Sequence, residues 1–161
     1  MRQEDNSIIS LQPSIGQYFI NELLLLLLCL AMLLVGGLPD CAYSTLLLFT
    51  SLLFSLCLLY RFIYLRSIRY HIGSKQLICE HGVFQRSVNY MELYRVVDFA
   101  EHQTLMQQLC GLKSVTVLSM DRTTPKLDMT GIKNSYDVVS VIRTRVEMNK
   151  RRKGVYEITN R

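Results

Sequence analysis

Two apolar blocks without polar relief occupy the amino-terminal part of this chain, and further on an alternating pattern replaces them. From Tyr18 to Leu38 the only ionisable side chain is Glu22, and from Cys41 to Tyr60 there is none. Either run predicts a helix of roughly 30 Å, about the thickness of bilayer hydrocarbon. A helix facing water keeps a polar stripe, whereas Leu23 to Val35 is apolar on every face. A cleaved export signal fits poorly: Glu4 and Asp5 stand beside Arg2, the apolar run starts late, and no A-x-A site follows it. Gly36-Gly37-Leu38-Pro39-Asp40 stops a helix and turns the chain. Residues 18–65 are therefore expected to form a two-helix transmembrane hairpin, with spans at about 18–38 and 41–62, after an amino-terminal cytoplasmic segment, 1–17.

Past Arg66 the period becomes two. Ile68, Tyr70 and Ile72 alternate with Arg69 and His71 in a predicted strand, which Gly73-Ser74 turns. Gln76 to Glu80 predicts a second strand, His81-Gly82 a tight turn and Val83 to Tyr90 a third strand, rich in β-branched and aromatic residues. Met91 to His102 reads as extended. Thr104 to Cys110 reads as one or two helical turns with Leu105, Met106 and Leu109 on one face, closed by Gly111. Lys113 to Met120 predicts a strand, residues 121–125 a turn, and Leu127 and Met129 alternate with polar neighbours in another strand. Asn134 can cap a last helix in which Val138, Val139, Ile142 and Val146 share a face, with Arg143, Arg145 and Glu147 turned away. The fold class is a membrane α-hairpin plus an α+β domain at residues 66–150, a partly open antiparallel β-barrel or sandwich capped by the carboxyl-terminal helix, before a basic polar tail, 151–161.

Charge orients this arrangement. Residues 1–65 hold two Lys/Arg against four Asp/Glu, and residues 66–161 hold sixteen against nine, a net of +7. Arg61, Arg66, Arg69 and Lys75 follow the second span while the loop offers only Asp40, so both termini are expected on the cytoplasmic side of a multi-pass membrane protein. Tyr18, Phe19, Tyr43, Tyr60, Phe62 and Tyr64 suit interfacial aromatic belts. Ser44, Thr45, Thr50, Ser51 and Ser55 suit hydrogen bonding within or between the spans. Glu22, the intramembrane acid, lies near the expected boundary, where it can reach headgroups. The five cysteines show no C-x-x-C or ligand spacing, and His71, His81 and His102 do not cluster, so neither disulfides, metal nor cofactor is expected.

The order of elements, together with Tyr70-His71-Ile72-Gly73, Gln76-Leu77-Ile78, Gly82, Met91-Glu92-Leu93-Tyr94-Arg95-Val96-Val97-Asp98, Gln103, Leu109-Cys110-Gly111, Val115-Thr116-Val117 and Leu127 through Gly131-Ile132, resembles the bacterial pleckstrin-homology (bPH2, YdbS-like) membrane-protein family. Glu92 stands where such proteins often have proline. The resemblance implies a PH-like domain of two packed sheets and no catalytic residues. Fold likeness by itself leaves the ligand open.

For catalysis one looks for a nucleophile beside a base, paired carboxylates, a metal cluster or a phosphate-cradling glycine loop, and none stands out; Asp98 and Glu101 read as solvated acids. Nucleic-acid binding is not expected either, because the basic residues form no aromatic-interleaved surface and the membrane already supplies a polyanion. The expected activity is non-enzymatic: a membrane-anchored binding or scaffold protein with the lipid bilayer as partner. Arg66, Arg69, Lys75, Lys150, Arg151, Arg152 and Lys153 are the candidates for contact with anionic headgroups. The same residues serve equally as the topology signal and a solvated tail. Alternatives are an assembly module, homo-oligomeric or with a partner membrane protein, and a ligand-sensing effector whose hairpin perturbs the membrane.

Overall fold

The computed structural model describes residues 8–38, 43–122 and 124–154. It begins with a short strand, β1 (Ile9–Leu11), then two long helices, α1 (Ile15–Gly36) and α2 (Ser44–Ser67). Strands β2 (Arg69–Ile72), β3 (Gln76–His81) and β4 (Ser87–Glu92) follow, and a 3-10 turn at Leu93–Arg95 leads to β5 (Val96–His102). A five-residue helix, α3 (Leu105–Leu109), precedes β6 (Leu112–Ser119) and β7 (Lys126–Lys133), and α4 (Val138–Lys153) ends the described chain.

The helix pair is antiparallel. Glu22 near the start of α1 reaches Arg61 near the end of α2 at 2.7 Å, and at the opposite end an added Cβ on Gly36 would lie 3.2 Å from Leu47 and Leu48. Both helices are long and apolar enough to cross a membrane, and most of their leucines face outward. Thr50 donates its hydroxyl to the carbonyls of Leu46 and Leu47 within its own helix, and Cys29 Sγ donates to the buried Ser51 carbonyl across the pair. The turn residues 39–42 lie outside the described residues.

Sheet one has the order β1-β2-β3-β4 and sheet two the order β5-β6-β7, all antiparallel. Among the described residues no ladder joins the two sheets, so the sandwich form of the expectation holds and a closed barrel does not. The switch between sheets occurs at Leu93–Arg95, where Leu93 is buried and the chain abandons its β3 partner. A continuous extended segment from Met91 was expected there. Between the sheets lie Ile72, Leu77, Met91, Leu93, Val96, Val115, Val117 and Met129, covered by Val138, Ile142 and Val146 of α4. Each such side chain contributes roughly 1.5–3 kcal/mol on leaving water.

Several local expectations need correction. The strand expected from Val83 starts at Ser87, because Gly82 has φ +119° and the loop folds so tightly that a Cβ there would lie 1.9 Å from the Gln85 carbonyl oxygen. Asp137 caps α4, accepting from Ser140 N at 3.1 Å, and not Asn134, whose amide is bonded to the Gly111 carbonyl. Arg145 does not turn away: it is buried and donates to the Ile72 carbonyl at 2.6 Å, pinning α4 to the end of β2. Leu105, Met106 and Leu109 are exposed, and Gln107 is the buried residue of α3.

The segment before the helices, read from sequence only as an amino-terminal cytoplasmic stretch, carries a strand: Ile9 pairs with Ile72, Ser10 with His71 and Leu11 with Tyr70. The helix pair is thus inserted between two neighbouring strands of one sheet.

Candidate functional site at the foot of the helix pair

The helices meet the sheets through a polar joint. Gln17, in the first turn of α1, donates from Nε2 to Asn21 Oδ1 at 2.8 Å and accepts at Oε1 from Gln107 Nε2 at 2.9 Å. The same Gln107 amide reaches Ser114 Oγ on β6 at 2.9 Å. Gln107 is set there by a capping box: Thr104 Oγ1 accepts from Gln107 N, and Gln107 Oε1 accepts from Thr104 N. Three buried polar side chains, Gln17, Gln107 and Ser114, thus satisfy one another across α1, α3 and β6, which makes the junction specific as well as close.

Close approach needs Gly131 on β7. Its φ is +69°, its carbonyl accepts from Ser14 N at 2.8 Å, and a Cβ there would lie 2.8 Å from Gln17 Cβ. Only glycine combines that left-handed backbone with that gap.

Beside the joint a cleft of ≈ 450 Å³ opens between Tyr18, Glu22, Arg61 and Tyr64 of the helices and Thr130 of β7. The Glu22–Arg61 ion pair lines it, with the carboxylate side chain 9% exposed and the guanidinium 56%. Glu22 therefore meets an internal partner where a reach to headgroups was expected. Tyr18 donates its hydroxyl to the Leu58 carbonyl and sets its ring edge-on to Phe62 at 5.3 Å, so the aromatic residues at this end pack the helices together. A cleft of this size, apolar with a few polar groups, suits an amphipathic ligand.

A smaller recess of ≈ 260 Å³ lies between Tyr70, Cys79, His81, Asn89 and Asp128. Burial pushes the Tyr70 hydroxyl and the Cys79 thiol up, which keeps the thiol protonated and a poor nucleophile. Asp128 feels burial as an upward push, but the hydrogen bonds from Thr116 and Lys126 outweigh it and hold the carboxyl below its ordinary range. Among the described residues no group of three or more His, Cys, Asp and Glu could hold a metal ion.

The seven basic candidates divide into two sets. Arg66 lies in the last turn of α2 and Arg69 opens β2, where it lines a shallow depression with Glu80, His81 and Arg86. Lys75 sits in the β2–β3 turn, next to Ser74, whose carbonyl accepts from Asn149 Nδ2 at 2.6 Å, so the end of α4 carrying Lys150, Arg151, Arg152 and Lys153 lies at this turn. Lys153 Nζ stands 3.6 Å from the centre of the Tyr94 ring. From Arg69 to Gly73 strand β2 advances about 13 Å, more than a physiological Debye length of roughly 8 Å, so the two sets act at separate ends of the sheet.

Sequence reasoning missed Arg86, which pairs with Glu80. It also missed Gln17, Gln107 and Gly131. The Thr104-x-x-Gln107 spacing was a legible capping signal, whereas a glutamine pair 90 residues apart leaves no local trace.

A family model, bPH_2 (Bacterial PH domain), matches residues 17–158, helix pair included. Comparison with curated proteins returned no match, and comparison with solved structures returned none either.

Proposed function

We propose, from the premise that this chain belongs to the bacterial PH domain family, that it is a non-catalytic, membrane-anchored binding or scaffold module. In this reading its helix pair crosses the bacterial cytoplasmic membrane and its sheets work at the cytoplasmic face. The observation that carries the reading is the β1–β2 ladder, since strands from before and after the helices can pair only if the helices leave and return to one side. Arg61, Arg66, Arg69 and Lys75, close after α2, against no Lys or Arg in the sequence between the helices, support the cytoplasmic assignment.

Arg66 and Arg69, with Arg86, are the set next to α2 and are assigned to anionic headgroups. Lys75 and Lys150 to Lys153 lie at the other end, beyond a Debye length from the first set, and are assigned to a partner in the cytoplasm. Assembly by strand addition at β5 is less well supported. The edge strand β5 carries a bulge between Val96 and Asp98 and outward acids, features that discourage pairing with another chain.

The test is native mass spectrometry of the full chain released from membranes in mild detergent. Retained anionic phospholipid, depleted in an R66E/R69E variant and kept in a K75E variant, is the expected result. Equal retention of neutral and anionic lipid by all three proteins would overturn the headgroup assignment. The cleft between the helices and Thr130 favours a second reading, a ligand-sensing effector that shifts the hairpin. Growth arrest with entry of an impermeant dye on induction would support that reading instead.

A further inference from the structure

The proposed function does not account for apolar side chains turned outward at one end of the sheets. Phe84, at the tip of the β3–β4 loop, is 90% exposed. On α3, Leu105 and Leu109 are 78% and 84% exposed, with Met106 between them half exposed. In water such residues would be sheltered, as sequence periodicity expects of this short helix. Instead α3 buries Gln107 and presents its leucines, and the loop presents its phenylalanine.

Both features are fixed to the feet of the helices. The Phe84 ring stacks on Tyr60 of α2, with centroids 6.1 Å apart and planes 11° from parallel. Gln107 ties α3 to Gln17 of α1. Tyr60 adjoins Arg61, whose bond to Glu22 marks the level at which charge first appears along both helices. Gln17 lies five residues outward from Glu22, about 7.5 Å along the axis. The polar interfacial zone of a bilayer is roughly 5–8 Å thick on each side. Phe84 therefore lies at the edge of the apolar zone and α3 within the interfacial layer, one flanking each helix.

We infer that Phe84 together with Leu105, Met106 and Leu109 forms a bilayer-inserted rim that seats the two sheets on the membrane in a single orientation. The occupant of this surface is phospholipid at the depth of the carbonyl and glycerol groups. The argument is continuity, because Phe84 prolongs the outward-facing surface of α2 through its stack on Tyr60, and Gln107 holds α3 with its outward leucines at the foot of α1. A seated domain holds the cleft beside Glu22 and Arg61 at the same depth, open to a lipid headgroup from the side. The inference rests on the membrane reading above.

The chain has no tryptophan, so single-tryptophan variants report directly. The full chain carrying F84W, L109W, L53W or M120W is reconstituted in phosphatidylcholine–phosphatidylglycerol vesicles containing lipid spin-labelled either near the carbonyl or deep in the acyl chain. Leu53 is exposed in the middle of α2, and Met120 is exposed beyond the Ser119 end of β6, away from α3. The shallow label is expected to lower F84W and L109W emission about twofold, with M120W almost unaffected and L53W quenched most by the deep label. F84W and L109W quenched no more than M120W, while L53W is quenched, would overturn the rim and leave the membrane reading standing. L53W insensitive to both labels would overturn the membrane reading and the rim with it.

Discussion

The helix pair and the sheets differ in where they put their leucines. Between the sheets lie Ile72, Leu77, Val115, Val117 and Met129, all nearly inaccessible. Within the pair the buried positions are Gln17, Tyr18, Glu22, Gly36, Ser51, Leu58 and Leu65, more than half of them polar or small, while Leu24, Leu27, Leu52 and Leu56 face outward. One region hides its large apolar side chains and the other turns most of its leucines outward. Water drives the leucines of the sheets together, but a surrounding of hydrocarbon gives leucine no reason to prefer the inside, and small or hydrogen-bonding residues then make the contact. In the proposed reading the two regions differ in solvent, and the polar joint of Gln17, Gln107 and Ser114 then lies where one solvent gives way to the other.

The sharpest way to break this contrast is to shorten a leucine in each region. Leu77→Ala, between the sheets, should cost about 2–5 kcal/mol. Leu53→Ala on the outer face of α2 should change stability by less than about 0.5 kcal/mol. Denaturant titration of both variants in one lipid-like detergent measures the difference, and equal losses would show that the helices are packed as a water-soluble core.

Next in size is the boundary itself. Gly131→Ala places a Cβ 2.8 Å from Gln17 on a backbone at φ +69°, and should cost about 1–3 kcal/mol. Limited proteolysis would register the loosening as faster cleavage near residues 12–14, with the helix pair intact.

A smaller effect attaches to the ion pair. Reversing Glu22 or Arg61 alone should weaken association of α1 with α2, and the double exchange E22R/R61E should recover most of it, read as crosslinking yield between cysteines introduced on the two helices. No recovery would mean that the cleft, and not the pair, sets the geometry there.

The smallest concerns pH. The folded-state carboxyl of Asp128 titrates below its unfolded value of about 3.9. Its contribution is therefore present above about pH 4 and is lost as pH falls through the depressed folded value. Asp128→Asn should lower Tm slightly at pH 6, and the gap should close as the buffer approaches pH 3.

Much of the fold was legible because its signals are local. Leucine runs with no charge between Leu23 and Leu38 mark a helix of membrane length, and the alternation of Tyr70 and Ile72 with His71 marks a half-buried strand. Boundaries failed where a tertiary demand overrode local pattern. The Val83–Arg86 stretch has strand propensity, yet the turn at Gly82 takes it out of the ladder. Arg145 reads as solvent-facing by period, but its bond to the Ile72 carbonyl at the end of β2 holds it inward. Of the candidate site, the basic residues were visible as composition and their separation into two ends was not, because that depends on where α4 docks against Ser74. β1 was invisible because three residues carry too little pattern, and its partner lies beyond both helices.

The central claim is that lipid is the solvent of α1 and α2 and that the chain on either side of them shares one compartment. Labelling with a membrane-impermeant maleimide tests it most directly, in single-cysteine variants that keep either Cys41, in the sequence between the helices, or the exposed Cys110 after α3. In spheroplasts the Cys41 variant should label at once and the Cys110 variant only after the membrane is opened. Equal labelling of both before opening, or labelling of Cys110 alone, would contradict the account.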